Sequence, residues 1–300
     1  MSDFDTKKNI EKVLLVGGTH GNELTGIHLV HQWKNNQQEK EYPLVDLDYL
    51  IANPEAVKAN KRYIEHDLNR CFKKSDLENE SLNSLEQSRA KEINRSLGGK
   101  GNSKIDFIID LHTSTANMQT NIVLTRLDIF HLSLASYLIK TLPEIVITSE
   151  ANLMADHHFL ETVAEKGILV EVGPIPQGCL DYDCFSKTRN AVNACLEFVE
   201  KYNNGDHLDL NDNVEIMSYT SKIYFPTDQH GNISACVHPD LIGIAYPKIV
   251  KGDPLFISFS GKVIHYEGEE TFLAFINEAA YYDQKIAMCC CQTISYPLNL

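Results

Sequence analysis

In the segment Gly17-Gly18-Thr19-His20-Gly21-Asn22-Glu23 an imidazole and a carboxylate stand three positions apart, a spacing that lets both reach one metal ion. The apolar run Val13-Leu14-Leu15-Val16 before it reads as a buried strand, and residues 23–33 after it carry apolar side chains at close to helical period. Glycines allow a sharp turn between the two and keep bulk away from whatever sits there. His20 and Glu23 would then project from the carboxyl end of a strand, where open α/β sheets bind ligands. A third ligand follows in His112, which ends the strand-like run 104–111 and precedes the polar Thr113-Ser114-Thr115. Two histidines and one carboxylate are a common catalytic zinc set that leaves a position for water or substrate. Asp110 could orient an imidazole from behind, or strand alternation could point it away.

Fixed positive charge comes next, in Arg62-Tyr63-Ile64-Glu65-His66-Asp67-Leu68-Asn69-Arg70. Arginine offers a planar, permanently charged fork suited to carboxylates. With the amide of Asn69, Arg62 and Arg70 could hold an α-carboxylate; the plain alternative is a set of surface ion pairs with Glu65 and Asp67. In Gly167-Ile168-Leu169-Val170-Glu171-Val172-Gly173-Pro174 a single carboxylate lies within an apolar strand. Burial is costly for a carboxylate and raises its pKa, and a nearby cation opposes the shift, the balance needed by a general base near neutral pH. An outward-facing glutamate on a half-exposed strand is the alternative.

These residues need elements to hold them. Up to Asn204 strands alternate with helices, including 84–97 and 181–202, the latter with an apolar stripe of Ala191, Ala194, Cys195, Phe198 and Tyr202. That pattern predicts an α/β fold, a mixed sheet layered by helices. After Asn203-Asn204-Gly205-Asp206 come short β-rich runs at 214–225, 255–259 and 271–276, divided by Gly, Pro and Asp. The chain thus divides into a catalytic domain at 1–204 and a smaller β-rich domain at 205–300 that caps the cleft.

Taken together, GGTHGNELTG, RYIEHDLNR, IIDLHTST, VEVGPIPQG, GDPLFISFSGK and FINEAAYY resemble, in order and over nearly the whole chain, the aspartoacylase branch of the zinc carboxypeptidase-like superfamily. The resemblance implies that fold and hydrolysis of an N-acyl amino acid, with N-acetylaspartate as the type substrate. It implies one zinc ion per subunit held by His20, Glu23 and His112, with Glu171 as catalytic base and acid. By the same resemblance Arg62 polarises the scissile carbonyl, Asn69 and Arg70 hold the α-carboxylate, and Tyr281 reaches into the site from the C-terminal region. One segment departs. Where animal aspartoacylases carry a tyrosine and an arginine for the aspartate side chain, an ungapped alignment has His157 and Glu161. Either Glu161 faces the substrate and disfavours acetylaspartate, or the loop is re-routed, Glu161 faces solvent, and His157, His158 or Lys166 supplies the positive contact; the second arrangement is the one expected.

With 27 basic against 41 acidic residues the net charge is −14, which argues against nucleic acid or an anionic membrane as partner. No stretch is apolar for the length a bilayer requires, and MSDFDTKKN lacks the apolar core of a secretory signal, so a cytoplasmic location is expected. The sequence leaves a homo-oligomer open. The 8 cysteines lack CxxC pairing and read as reduced, the triplet Cys289-Cys290-Cys291 included. Deacylation of uncharged acyl amino acids, carboxypeptidase action and a non-catalytic zinc-binding amino-acid sensor are the rival readings, and the intact Glu171 speaks against the last.

Overall fold

The computed structural model describes residues 9–298. Its strands are β1 (Lys12–Gly17), β2 (Asp46–Ile51), β3 (Phe107–Thr113), β4 (Gln119–Leu124), β5 (Ile145–Ser149), β6 (Lys166–Gly173), β7 (Asn213–Tyr224), β8 (Ala235–Val237), β9 (Lys248–Ile249), β10 (Pro254–Ser258), β11 (Val263–His265), β12 (Thr271–Ala274) and β13 (Ile286–Pro297). The α-helices are α1 (Leu24–Asn36), α2 (Pro54–Ala59), α3 (Lys74–Glu78), α4 (Leu85–Ser96), α5 (Ile129–Thr141) and α6 (Tyr182–Asn204). Ten strands form one mixed sheet in the order β2-β1-β3-β6-β4-β5-β7-β13-β12-β9, and β11-β10-β8 form a second. Residues 1–8, which include most of the N-terminal stretch read for a secretory signal, lie outside the described residues.

Strand alternation sorts the side chains of β3 between two cores. Phe107, Ile109 and Leu111 pack with α1, α5 and α6 residues such as Trp33, Phe130 and Phe198, while Ile108 joins Ala90 and Ile93 of α4 and Leu160 on the other face. Asp110 and His112 share that second face, and at the top of β6 Glu171 lies in register beside His112. The helices expected at 84–97 and 181–202 are α4 and α6, within two residues at each end, and the one read over 23–33 is α1, which runs on to Asn36. Ser84 closes α4 with a capping box to Gln87, and Asp181 caps α6 at Cys184.

The C-terminal β-rich region joins the main sheet at one edge. β7 pairs in parallel with β5 through Thr148 and Met217, so the main sheet runs on into the C-terminal strands. Among the described residues β8, β10 and β11 form the separate small sheet. Cys289, Cys290 and Cys291 lie buried on β13 as free thiols. Among the described residues no helix is long and apolar enough to cross a membrane.

Candidate active site

Glu23 is the residue before α1, and its side chain makes no cap; it turns to the histidines instead. The turn is tight: a Cβ on Gly21 would lie 2.0 Å from the backbone of Ala56, so no other residue fits there. His20 Nδ1 lies 2.7 Å from Glu23 Oε1, and His112 Nδ1 lies 3.0 Å from Glu23 Oε2. The two Nδ1 atoms are 3.1 Å apart. All three residues are buried, with ligand atoms within 4.8 Å of one another.

The donor set fits a metal. Nitrogen lone pairs that face one another at this distance repel unless a proton or a cation lies between them. Behind the rings, His20 Nε2 is 3.0 Å from Asp67 Oδ1 and His112 Nε2 is 2.9 Å from Asp110 Oδ2. A carboxylate on the far nitrogen favours the tautomer that leaves Nδ1 free to ligate. Asp110 therefore lies behind His112, held by a hydrogen bond from Thr19 Oγ1 at 2.7 Å. Burial pushes the Glu23 carboxyl up, but the His20 and His112 rings outweigh it and hold the group well below the usual range.

Arg62 is half-buried and does pair with Asp67, as the plain reading of its segment has it, yet the pair is part of the site. Nε and Nη2 donate to Asp67 Oδ2 at 3.2 and 3.0 Å, and Nη1 donates to Glu23 Oε1 at 3.1 Å. Asp67 thus ties the arginine to His20. Glu65 instead accepts from Leu85 N. The loop that carries Arg62 and Asp67 is fixed by Glu86, whose buried carboxylate accepts from the backbone of Ile64, Glu65 and His66 at 2.7 to 3.0 Å and from Asn53 Nδ2. Those donors hold Glu86 ionised, below its ordinary pKa against the opposing effect of burial.

Glu171 is pushed up to about 8 by burial; His112 opposes this, Glu23 and Glu278 add to it, and Arg62 opposes it again. Asn69 is buried, its Oδ1 accepting from Leu160 N at 2.8 Å while Nδ2 lies 3.4 Å from His112 Nε2. Arg70 donates to the carbonyl of Asn69 at 2.9 Å and stacks on Phe159. Tyr281 joins these groups around one small recess, together with Glu150 and Phe275. Its loop is anchored by Glu278, which accepts from Ser114 Oγ, from Ala116 N at 3.0 Å and from Ala280 N at 3.1 Å.

The recess opens into a cavity of about 360 Å³ that shares Arg70, Glu150, Phe159, Phe275 and Tyr281 with it. Tyr219, Leu153 and Met154 add apolar wall, and Lys222 of β7 is exposed at its edge. Burial raises the Glu150 carboxyl, opposed by Arg70 and Lys222.

The 150–166 segment differs from both arrangements considered from sequence. Glu161 is 0% exposed, in a 3-10 turn at Leu160–Val163, and accepts from Thr125 Oγ1 at 2.9 Å. Burial, with Asp110 nearby, pushes its carboxyl up to about 8. It faces neither solvent nor the cavity; Gly167 leaves room for it, since a Cβ there would lie 2.9 Å from Glu161 Cγ. His157 is buried too, stacked on Phe159 at 6.0 Å between ring centres, and its ring lines neither recess nor cavity. Lys166 lies at the far end of β6 from Glu171, over the ring of Phe130. His158 does line the cavity, but burial and then Arg70 push it down to about 3, so it carries no charge near neutral pH.

His20, Glu23, His112, Arg62, Asn69, Arg70, Glu171 and Tyr281 are therefore brought together, and His157 is not. Sequence reasoning gave no role to Glu86, Glu150, Phe159, Lys222 or Glu278. Only Glu278 left a signal, since it stands in the NEAAYY block.

This geometry is that of a hydrolase family. The succinylglutamate desuccinylase/aspartoacylase catalytic domain matches residues 9–199, and the barrel-sandwich hybrid domain of the same family matches residues 212–293. The chain belongs to this family. It is 43% identical over 283 residues to a Trichodesmium erythraeum protein named "Probable aspartoacylase", covering 94% of this chain and 97% of that one. It is 34% identical over 288 residues to the human N-acyl-aromatic-L-amino acid amidohydrolase (carboxylate-forming), covering 94% and 90%. The crystal structure of murine aminoacylase 3 superposes with a TM-score of 0.91 at 32% identity, covering 97% of this chain and 98% of that one.

Proposed function

We propose that the protein is a zinc-dependent amidohydrolase of N-acyl amino acids, with N-acetyl-L-aspartate, cleaved to L-aspartate and acetate, as preferred substrate. The observation that carries the reading is the pair of imidazole Nδ1 atoms converging on Glu23 with a carboxylate behind each ring. His20, Glu23 and His112 would hold one zinc ion per subunit, which would supply Lewis-acid activation of water and of the acyl oxygen.

The chain's own groups do the rest. Glu171 takes a proton from the attacking water as the water oxygen bonds to the acyl carbon. It returns that proton to the amide nitrogen as the C–N bond breaks. Arg62, aimed by Asp67, donates to the oxygen on which negative charge develops. Arg70 and Asn69 receive the α-carboxylate, and Tyr281 closes the recess over it.

For the side chain, Lys222 takes the role considered for His157, His158 or Lys166, because it lines the cavity that continues from Arg70. Two cations along one cavity suit a substrate with two carboxylates. A second reading has support in the walls: Phe159, Tyr219 and Phe275 would pack well against an aromatic side chain, the class named for the human relative.

Rates for acetylaspartate, acetyltyrosine, acetylleucine and a short peptide, in wild type and Lys222→Met, separate the readings. Acetylaspartate is expected to lead, and the variant to lose about tenfold in kcat/KM, on the order of 1.4 kcal/mol, on that substrate alone. Acetyltyrosine leading in both proteins would establish the aromatic reading. Bound zinc without turnover of any of them would favour a sensor.

A further inference from the structure

We infer that Phe159, Leu160 and Glu161 together orient the α-carboxylate clamp, with Phe159 as the positioning residue for Arg70. The inference rests on the function proposed above, since it concerns how that substrate's carboxylate is met.

Arg70 has a long side chain with little to hold it. Among the described residues its guanidinium finds no ion-pair partner; it donates to the carbonyl of Asn69 at 2.9 Å and lies 5.1 Å over the centre of the Phe159 ring. A ring face beneath the guanidinium restrains its position and leaves the N–H groups not given to Asn69 free for a carboxylate. Leu160, the next residue, donates its N–H to Asn69 Oδ1 at 2.8 Å. That bond occupies the acceptor side of the amide and turns Nδ2, the donor side, toward His112 and the recess.

Glu161 anchors the pair from below. It is buried and takes a hydrogen bond from Thr125 Oγ1 at 2.9 Å. It fits because Gly167 has no side chain: a Cβ there would lie 2.9 Å from Glu161 Cγ and 2.5 Å from its carbonyl oxygen. Three consecutive residues thus stack one clamp residue, rotate the other and fasten both to the sheet. The competing view makes Phe159, 5% exposed, a core filler that happens to touch Arg70.

The test uses the N-acyl amino acid that wild type hydrolyses best and the same compound with its α-carboxylate amidated. Phe159→Leu is expected to raise KM about tenfold for the free carboxylate with kcat within about twofold, and Phe159→Tyr to restore most of the loss. The amidated compound should not distinguish the variants. Equal losses on both compounds, or a tyrosine variant as poor as leucine, would overturn the inference. A second readout needs no turnover. The Arg70 Nε–H NMR signal, identified by its absence in Arg70→Lys, should be shifted by the ring current in wild type and Phe159→Tyr and return toward the free-arginine position in Phe159→Leu. An Arg70 signal that stays in place in Phe159→Leu refutes the stack. If wild type hydrolyses no N-acyl amino acid, the functional proposal falls while this signal still decides the positioning role.

Discussion

Two parts of the molecule line the recess and are built on opposite plans. The histidine cluster and Glu171 come from strand ends: His20 follows β1, His112 lies on β3, and Glu171 is its register partner on β6. Each histidine there has its own carboxylate behind it. The wall at 150–163 is an irregular segment between β5 and β6, held by single contacts such as Leu160 to Asn69 and Glu161 to Thr125. Regular strands carry the histidines and Glu171, whereas the irregular wall bears on the neighbouring clamp, through Phe159 to Arg70 and Leu160 to Asn69. The two halves of the site therefore rest on different kinds of backbone.

Changes in the cluster should be large and indifferent to the substrate's side chain. Glu171→Gln is expected to lower kcat by about 10²- to 10⁴-fold on every acyl amino acid while zinc content is unchanged. Activity within a few-fold of wild type would remove Glu171 from proton transfer. One step back from the ligands, Asp67→Asn and Asp110→Asn should each weaken zinc binding about 10- to 100-fold, read by competition with a chelator. The Asp67 variant should also lower kcat, because it frees Arg62. Equal zinc affinity in wild type and both variants would show that the carboxylates do not support the rings.

Changes in the wall should be smaller and of a different kind. Glu161 is raised to about 8 by burial, against an ordinary value of 4.5. The stability it contributes as a neutral acid is fully present below its unfolded pKa and is lost as pH rises toward about 8, with a slope approaching 1.4 kcal/mol per pH unit. Glu161→Gln cannot ionise, so denaturation profiles should show it gaining on wild type steadily between about pH 5 and pH 8. Parallel profiles would mean that Glu161 is ionised in the fold despite its burial.

The same division explains what the sequence reveals. The ligands are legible because an HxxE spacing, a glycine turn and a second strand-end histidine are local patterns, and the order of the blocks fixes the family. The role of Asp110 is not legible until β3 is seen to put it on the face of His112. An Arg62–Asp67 ion pair is legible as the plain alternative for its segment, but a sequence does not say that the pair is half-buried against His20. Glu278 acts across 164 positions through Ser114, and no local pattern records such a contact. The pairing of β7 with β5 is not legible either, because a composition shift marks a boundary without showing which strands meet across it. An ungapped alignment reaches Glu161 and His157 through a segment whose backbone is irregular, and there equal position does not mean equal direction.

The central claim is that one zinc at His20, Glu23 and His112 makes this chain an amidohydrolase. It is tested most directly by stripping the protein with a chelator and measuring hydrolysis of acetylaspartate as zinc is added back. Activity should be absent in the stripped protein, rise linearly to one equivalent and then level off. Full activity in the metal-free protein, or none after one equivalent is bound, would contradict it.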